Sequence, residues 1–306
     1  MTNAAYLVVG GASGLGKATA EALASRGANV VVSDLGTSVS GEGADSSVAR
    51  EAAADIDAAV DGTSVVAHAG DAADAADAEE AVETTLESFG RLDGVANFAG
   101  ILRDGMCWNL TEDDWDAVID SHLRSNFTLL RAAVRHWRAV DDGSAGGDED
   151  DGASDAHGRD RSYLAVSSRG ALGNVGQLAY ASANAGILGF VRSASTELHR
   201  QGVRVNALVP NGFTRMTASI PEEHRPYTRE EKPPEAVAPA AVSLLTAADD
   251  VTGVTLTAAG DEIGVLSDPR QVRTGVREDG WTVDAIDETL ESVADGYALT
   301  RTERFL

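Results

Sequence analysis

Residues 4–27, AAYLVVGGASGLGKATAEALASRG, decide the fold of this chain. The first six residues of the stretch are an apolar run, which predicts a buried strand that ends at Gly10. The second half carries apolar side chains at helical spacing and predicts a helix that stops before Gly27. Between the two segments, Gly10, Gly14 and Gly16 follow a GxxxGxG spacing. Such a turn from a strand into a helix is typical of a site where helix N-terminal amides hold a pyrophosphate.

The alternation of strand and helix continues along most of the chain. Further strands are predicted at 29–33, 64–67, 94–98, 162–166 and 203–209. Further helices are predicted at 46–60, 76–89, 111–140 and 179–200. This order is typical of a parallel sheet with helices on both faces. We therefore expect an α/β fold, a Rossmann-type doubly wound parallel sheet.

Two segments fall outside this pattern. Residues 141–160, DDGSAGGDEDDGASDAHGRD, have no aliphatic side chain larger than alanine, so we expect a solvated, flexible surface insertion. A metal-binding loop is the alternative, but the acids lack the ligand spacing of a calcium loop. Residues 267–306 contain a predicted amphipathic helix at 283–293, which covers the sheet edge or a neighbouring subunit. The expected organisation is one dinucleotide-binding domain, residues 1–266, with a C-terminal extension.

The composition is strongly acidic. Lys and Arg total 24 against 49 Asp and Glu, which gives a net charge of −25. This charge argues against nucleic acid and anionic membranes as partners, because both attract basic surfaces. At ~1 M salt the Debye length falls to ~3 Å and most of the self-repulsion is screened. We therefore expect a cytoplasmic protein adapted to high salt, with a mildly acidic mesophile surface as the alternative.

Several other classes are disfavoured by the sequence. No run of 18 apolar residues is present, so no membrane span is expected. The N-terminal residues lack the basic region and cleavage-like site of a signal peptide. The single cysteine, Cys107, excludes an internal disulfide and a cysteine metal cluster, and no metal site is expected.

An acid follows the second predicted strand. Asp34 lies 18 residues beyond Gly16, where a carboxylate can hydrogen-bond both ribose hydroxyls of NAD and repel a 2′-phosphate. Because Ser13 in the glycine turn is not basic, NAD is favoured over NADP. A carboxylate that merely caps a loop is the alternative for Asp34.

Ser167 ends a predicted strand, and Tyr180 follows 13 residues later near a helix start. Together with the glycine turn and the Asn-x-Ala-Gly turn at 97–100, this pattern resembles the short-chain dehydrogenase/reductase family over residues 4–260. The resemblance implies that the tyrosine exchanges a proton with an alcohol or carbonyl. It also implies that the serine hydrogen-bonds the same oxygen. Ser167, rather than Ser168, fits the 13-residue spacing.

A narrower resemblance concerns the segments 97–104, 115–137 and 210–217. They are similar to the (3R)-hydroxyacyl-CoA dehydrogenase module of the peroxisomal multifunctional enzymes of type 2. This implies NAD-dependent oxidation of a 3-hydroxyacyl-CoA to its 3-oxoacyl form, by a homodimer or homotetramer. The implied catalytic residues are Ser167, Tyr180, Asn184 and His122. The expected cofactor contacts are Gly10, Ser13, Gly14, Leu15, Gly16, Asp34, Asp71, Ala72, Asn97, Ala99, Gly100, Tyr180, Asn184, Pro210 and Thr214.

Some of these positions have a simpler interpretation. Asp71 either faces adenine or caps a helix within an Asp-rich turn. The small residues of the turn at Asn97 either let the cofactor approach closely or merely end a strand. Thr214 binds the nicotinamide carboxamide or caps a short helix. His122 relays protons through water or is a packed helix residue. Residues 213–231, rich in Pro, Arg and Glu, are expected to form a substrate lid.

One departure from the family pattern is serious. The family has lysine four residues after the tyrosine, where this chain has Asn184. A lysine ammonium lowers the tyrosine pKa and holds the nicotinamide ribose, whereas asparagine offers hydrogen bonds without a charge. Two hypotheses follow: a working dehydrogenase with an alkaline optimum, or a catalytically idle NAD-binding protein that serves as a sensor or assembly subunit.

Overall fold

The computed structural model describes residues 3–143, 160–246, 251–278 and 280–294. The chain divides into two compact units, Met1–Leu266 and Ser267–Leu306. The larger unit is built on one eight-stranded sheet of order β3-β2-β1-β4-β5-β6-β7-β8. The strands are β1 Ala5–Val9, β2 Asn29–Ser33, β3 Val65–His68, β4 Gly94–Asn97, β5 Arg161–Val166, β6 Val203–Pro210, β7 Thr255–Ala259 and β8 Glu262–Val265.

Seven of the strands run parallel, and only β8 pairs antiparallel with its neighbour, β7. The strand order reverses between β1 and β4, which is the arrangement of a doubly wound sheet. The expected Rossmann-type fold is confirmed. The antiparallel hairpin of β7 and β8 was not predicted.

Helices cover both faces of the sheet. They are α1 Gly14–Ala24, α2 Ser46–Ala59, α3 Ala75–Phe89, α4 Glu112–Ile119, α5 Ser125–Asp141, α6 Leu178–Leu198, α7 Arg215–Ala218, α8 Ala238–Thr246 and α9 Val283–Ala294. No helix in the described residues is long and apolar enough to cross a membrane.

Two buried clusters hold the layers together, because successive strand residues point to opposite faces of the sheet. On one face Val8 packs in a cluster with helix residues such as Leu23 and Leu245. On the other face Leu7 packs in a cluster with residues such as Leu129 and Ile187. The central strands are therefore buried on both sides, which fixes their carboxyl ends as one rigid edge.

The long helix predicted at 111–140 is interrupted. A π-helical segment, Asp120–Arg124, joins α4 to α5. The wider turn frees a carbonyl at His122, which accepts hydrogen bonds from the Asn126 side chain at 2.7 Å and from Ser125 Oγ at 3.3 Å. Such π-segments redirect one side chain and are common at functional sites. His122 is the buried residue of this segment.

The insertion predicted at 141–160 is bound to the fold at both ends. Asp141 is the last residue of α5, and both its carboxylate oxygens accept 2.7 Å bonds from Arg161. Asp160 accepts from Arg204. Because Arg161 and Arg204 are buried, these two exposed acids neutralise charges within the fold. The expectation of a solvated, flexible insertion between them stays a prediction. Most of the insertion lies outside the described residues.

The smaller unit contains the helix expected at 283–293, observed as α9. Within this unit Arg273 Nη1 donates to the Ser292 carbonyl at 3.0 Å, which joins the segment before the helix to its last turn. The suggested role of this unit as an edge cover or subunit contact stays a prediction.

Candidate active site

A cavity of about 460 Å³ opens at the carboxyl ends of the parallel strands. Its wall includes most of the residues expected from the sequence: Gly10, Ser13, Gly14, Leu15, Gly16, Asp34, Asp71, Ala72, Ala99, Gly100, His122, Ser167, Tyr180, Asn184, Pro210 and Thr214. One expected residue, Asn97, is absent from this wall.

The glycine turn leaves backbone amides open to the cavity. Gly10 and Gly14 have φ values of +67° and +53°, which favour glycine. A Cβ at Gly16 would lie 2.1 Å from the Gly10 carbonyl oxygen, so the turn has no room for a side chain there. Ser13 precedes α1 without capping it through its side chain. The first-turn amides of α1 are thus available to an anionic group, which fits a dinucleotide pyrophosphate.

Asp34 is held in a fixed orientation at the end of β2. Its Oδ2 accepts from the Ala12 amide at 3.1 Å and its Oδ1 from the Gly36 amide at 2.9 Å. The carboxylate lines the cavity and has further lone pairs for ribose hydroxyls. The carboxylate therefore orders its own loop, as the alternative interpretation has it. Its contact with a cofactor ribose stays a prediction.

Asp71 also orders a turn at the cavity wall. Its Oδ1 accepts from the Ala73 amide at 2.9 Å, and its own amide donates to Asp77. The N-cap of α3 is Asp74 rather than Asp71. Asp71 is thus not the cap of that helix, and its place in the cavity wall leaves it available to a ligand.

Asn97 lies behind the wall and does not line it. Its Nδ2 donates to Ser125 Oγ at 2.9 Å, and its Oδ1 accepts from the Ala99 amide at 3.1 Å. The residue is 1% exposed, and the expected contact with the cofactor stays a prediction. Instead, it ties the end of β4 to the start of α5 and shapes the turn at Ala99.

The small size of Gly100 serves a neighbour within the protein. A Cβ there would lie 2.3 Å from Cε1 of His122, so any side chain would displace the imidazole. His122 Nε2 bonds the Ile101 carbonyl oxygen at 2.9 Å. The ring meets Tyr180 edge to face, with 5.0 Å between centroids. Burial lowers the pKa of His122, so the neutral imidazole packs against Tyr180.

Both candidate serines line the cavity. Ser167 is 3% exposed, and its hydroxyl donates to the Asn184 carbonyl at 2.9 Å, so it binds the α6 backbone. Ser168 Oγ accepts from the Gly170 amide at 3.1 Å and caps the 3₁₀ turn Arg169–Leu172, and its hydroxyl lowers the pKa of Tyr180. The role of Ser167, which the 13-residue spacing predicts, stays a prediction, and Ser168 is a second candidate because the Ser167 hydroxyl already donates to the helix.

Tyr180 lies in the first turn of α6 and faces the cavity. Burial raises the pKa of its phenol, the hydrogen bond with Ser168 lowers it, and negative charge on Asp104 or Tyr227 raises it further. Burial is the largest effect, and the pKa stays above its ordinary value. Among the described residues, no cation shifts the pKa of this phenol. The site therefore holds a neutral phenol at neutral pH.

Asn184 lies one turn along α6 from Tyr180. Its Nδ2 donates to the Tyr180 carbonyl at 2.9 Å, and the residue is 1% exposed while still bordering the cavity. The amide thus braces the helix turn that carries the tyrosine. It supplies no charge in place of the family lysine.

The sequence did not predict the cavity contacts of the β2–α2 loop, residues 35–45. Thr37, Val39 and Gly41 of this loop line the cavity. Arg103 Nε donates to the Ser40 carbonyl at 2.9 Å, and Arg215 Nη1 donates to the Thr37 carbonyl at 3.0 Å. Both guanidinium groups are therefore engaged in holding the loop against the cavity.

Two family models match the sequence. One, described as short chain dehydrogenase, matches residues 4–147, and the other, described as enoyl-(acyl carrier protein) reductase, matches residues 153–260. A solved structure of a short chain dehydrogenase from Mycobacterium avium superposes with a TM-score of 0.80 at 30% identity, and the match covers 96% of this chain and 95% of that one.

Two curated relatives are similar over most of this chain. Hydroxyacyl-CoA dehydrogenase ChsB1 of Mycobacterium tuberculosis is 36% identical over 274 residues, which are 87% of this chain and 80% of that one. Peroxisomal multifunctional enzyme type 2 of Mus musculus is 34% identical over 94% of this chain, which spans only 36% of the mouse protein. With these matches and the fold described above, the chain belongs to the short-chain dehydrogenase/reductase family of oxidoreductases.

Proposed function

We propose that this oxidoreductase interconverts a secondary alcohol and a ketone with NAD, and that its substrate is a 3-hydroxyacyl-CoA and its 3-oxoacyl form. The observation that carries the proposal is one cavity whose wall contains Tyr180, both serines, the open glycine turn and Asp34. The name of ChsB1, a hydroxyacyl-CoA dehydrogenase, supports the thioester substrate.

The proposed mechanism assigns one task to each side chain. When bound, the nicotinamide accepts the hydride. Ser168 hydrogen-bonds the reacting oxygen and orients it toward Tyr180. The Tyr180 phenolate takes the hydroxyl proton, and His122 packs against the tyrosine ring and limits its movement. Because burial raises the pKa of Tyr180, the active phenolate becomes more populated as the pH rises.

Cofactor binding is assigned to the opposite part of the cavity. The α1 amides would hold the pyrophosphate and Asp34 the adenosine ribose. Asn184 and Thr214 border the nicotinamide end, although the Thr214 hydroxyl also caps α7 by accepting from the Thr217 amide. These assignments favour NAD over NADP because the fixed Asp34 carboxylate would repel a 2′-phosphate.

A second candidate function rests on one observation. Asn184 binds the Tyr180 carbonyl, and no described cation lowers the tyrosine pKa. A protein that binds NAD without turnover, as a sensor or assembly subunit, would need no such cation beside the tyrosine. Measured turnover with a 3-hydroxyacyl thioester decides between the two functions.

The test of the proposed function is NADH formation from 3-hydroxybutyryl-CoA in multimolar KCl, with both enantiomers of the alcohol. We expect turnover with NAD and with the 3R enantiomer. Binding of NAD without turnover of either enantiomer, or of any simple secondary alcohol, would favour the idle protein instead.

Replacing Ser168 by alanine should lower kcat/KM for the alcohol by about 10- to 100-fold, the worth of one hydrogen bond to a charged group. Ser167→Ala is the matched control. It removes a bond to the helix backbone and should change the melting temperature more than the chemistry. Steady-state kinetics and thermal denaturation of both variants check this prediction. An equal kinetic loss in both, or a larger one in Ser167→Ala, would contradict the assignment of Ser168.

Replacing Asp34 by asparagine should reduce the preference for NAD over NADP by about 10-fold or more. The amide cannot repel a 2′-phosphate, and it forms weaker bonds to ribose hydroxyls than a carboxylate does. The check is kcat/KM measured with each cofactor. A misfolded variant would lose activity with both cofactors, whereas the prediction requires the ratio itself to change. An unchanged ratio would show that Asp34 only orders its loop.

We propose that the protein is a homodimer or homotetramer that associates through α5 and α6. Phe127 on α5 is 51% exposed, and the Arg131 guanidinium lies 5.1 Å from its ring centroid. Aromatic residues are enriched at subunit contacts, so Phe127 marks the helix face to be tested. Sedimentation in multimolar KCl would determine the oligomeric state.

We also propose that the protein is located in a cytoplasm with a high salt concentration. The support is the net charge of −25 and the presence of only two lysines, Lys17 and Lys232. Screening at high ionic strength would relieve repulsion between the surface acids. Because nucleic acid and anionic membranes attract basic surfaces, we propose neither as a partner of this acidic chain.

A further inference from the structure

A second tyrosine lies in the cavity and has no part in the mechanism above. Tyr227 belongs to the segment expected to form the substrate lid, and it lines the same cavity as Tyr180 and Ser168. Its hydroxyl donates to the Gly212 carbonyl at 3.5 Å, which is the outer limit of a hydrogen bond. The phenol is half-buried and weakly bonded, so it can exchange this bond for a ligand oxygen.

The surrounding contacts hold this phenol in place. The Lys232 ammonium lies 5.1 Å from the centroid of the Tyr227 ring, a cation–π distance. The Lys232 carbonyl accepts from the Phe213 amide at 2.7 Å, which ties the end of the segment to the loop after β6. Arg225 donates to the Ile220 and Ala218 carbonyls, both at 2.8 Å. The segment is thus anchored at both ends beside the cavity.

The two phenols belong to the same cavity wall, which Ser168 also lines. The side chains of Ile101 and Met216, which also line the cavity, are apolar. The oxygen on the reacting carbon of a substrate can therefore hydrogen-bond Tyr180 and Ser168. A second substrate oxygen can hydrogen-bond Tyr227.

We propose that Tyr227 is a specificity-determining residue whose hydroxyl donates to a second oxygen of the substrate, beside the reacting carbinol. A substrate with a carbonyl near its alcohol, such as the thioester carbonyl of a 3-hydroxyacyl chain, engages both groups. A simple secondary alcohol engages only Tyr180 and Ser168. This inference rests on the proposed function, because it names which oxygen of that substrate class is recognised.

The test compares wild type with Tyr227→Phe on two substrates, 3-hydroxybutyryl N-acetylcysteamine thioester and 2-pentanol, in multimolar KCl. The variant removes only the hydroxyl. We expect kcat/KM for the thioester to fall by about 10- to 100-fold and that for the alkanol to stay within about 3-fold. Equal losses on both substrates, or no loss on the thioester, would overturn the assignment of Tyr227.

A binding measurement separates this proposal from the proposed function. Calorimetry with acetoacetyl N-acetylcysteamine and the protein–NAD complex requires no turnover. We expect the affinity of Tyr227→Phe for this ketone to be at least about 10-fold weaker than that of wild type. Equal affinity would overturn the role of Tyr227 even if the enzyme is active. Weaker binding without any wild-type turnover would support Tyr227 and contradict the dehydrogenase.

Discussion

Replacing Tyr180 by phenylalanine should reduce kcat/KM for alcohol oxidation by at least about 10³-fold. The phenol is the only proton acceptor in the proposed mechanism, and a positioned acid or base contributes about 10²- to 10⁴-fold. The substitution keeps the aromatic ring, so its edge-to-face contact with His122 should persist. Initial rates of NADH formation at several substrate concentrations measure the loss.

The control for this variant is its cofactor affinity. The Tyr180→Phe variant keeps the residues assigned to cofactor binding, namely the glycine turn, Asp34 and Asn184. The dissociation constant of NAD should therefore stay within about 3-fold of wild type. A variant that retains more than a tenth of the wild-type rate would show that another group takes the proton. Loss of NAD binding together with activity would indicate a structural defect rather than a chemical one.

Replacing Asn184 by lysine should raise kcat/KM at about pH 7 by at least about 10²-fold. A unit charge ~4 Å from the phenolate, at an effective dielectric of ~20, contributes ~4 kcal/mol, or about three pKa units. The new ammonium would therefore oppose the effect of burial on the Tyr180 pKa. The pH midpoint of the rate should shift to lower pH, because more phenolate is present at neutral pH.

Asn184→Met is the matched control for the charge. It removes the bond from the Asn184 side chain to the Tyr180 carbonyl without adding an ammonium, so it should give no gain. The measurement is the full pH–rate profile of all three proteins. A loss of activity in Asn184→Lys would show instead that the asparagine belongs to a reorganised site that has no place for the family lysine.

Much of the fold could be predicted because it depends on local patterns. Three elements each have a recognisable local sequence pattern: the glycine turn, the β-branched strand at 29–33 and the helical spacing of 14–26. All three lie close to the expected bounds. The hairpin of β7 and β8 and the helix α8 were missed. Strand β8 is largely exposed and short, so it lacks the apolar run that marks a buried strand.

The direction of the two serine hydroxyls could not be predicted, because spacing measures chain length rather than direction. Ser167 and Ser168 are adjacent and chemically identical, and which hydroxyl faces Tyr180 depends on the turn Arg169–Leu172. In the structure the Ser167 side chain is used by the α6 backbone, at the Asn184 carbonyl. Only the three-dimensional path of the loop distinguishes the two serines.

Two other assignments depended on packing that no motif shows. Gly100 borders the cavity as expected, and its missing side chain also makes room for His122. The Asn97 side chain bonds Ser125 and the Ala99 amide, which are partners that its sequence position does not reveal.

The central claim is that Tyr180 works as the base of a dehydrogenase without a neighbouring lysine. The most direct test is NAD reduction by the wild-type protein in multimolar KCl with 3-hydroxybutyryl-CoA, at about pH 7 and about pH 9.5, beside Tyr180→Phe. We predict a much faster rate at the higher pH, and its loss in the variant at both. A rate that is already maximal at about pH 7, or that survives in Tyr180→Phe, would contradict this account.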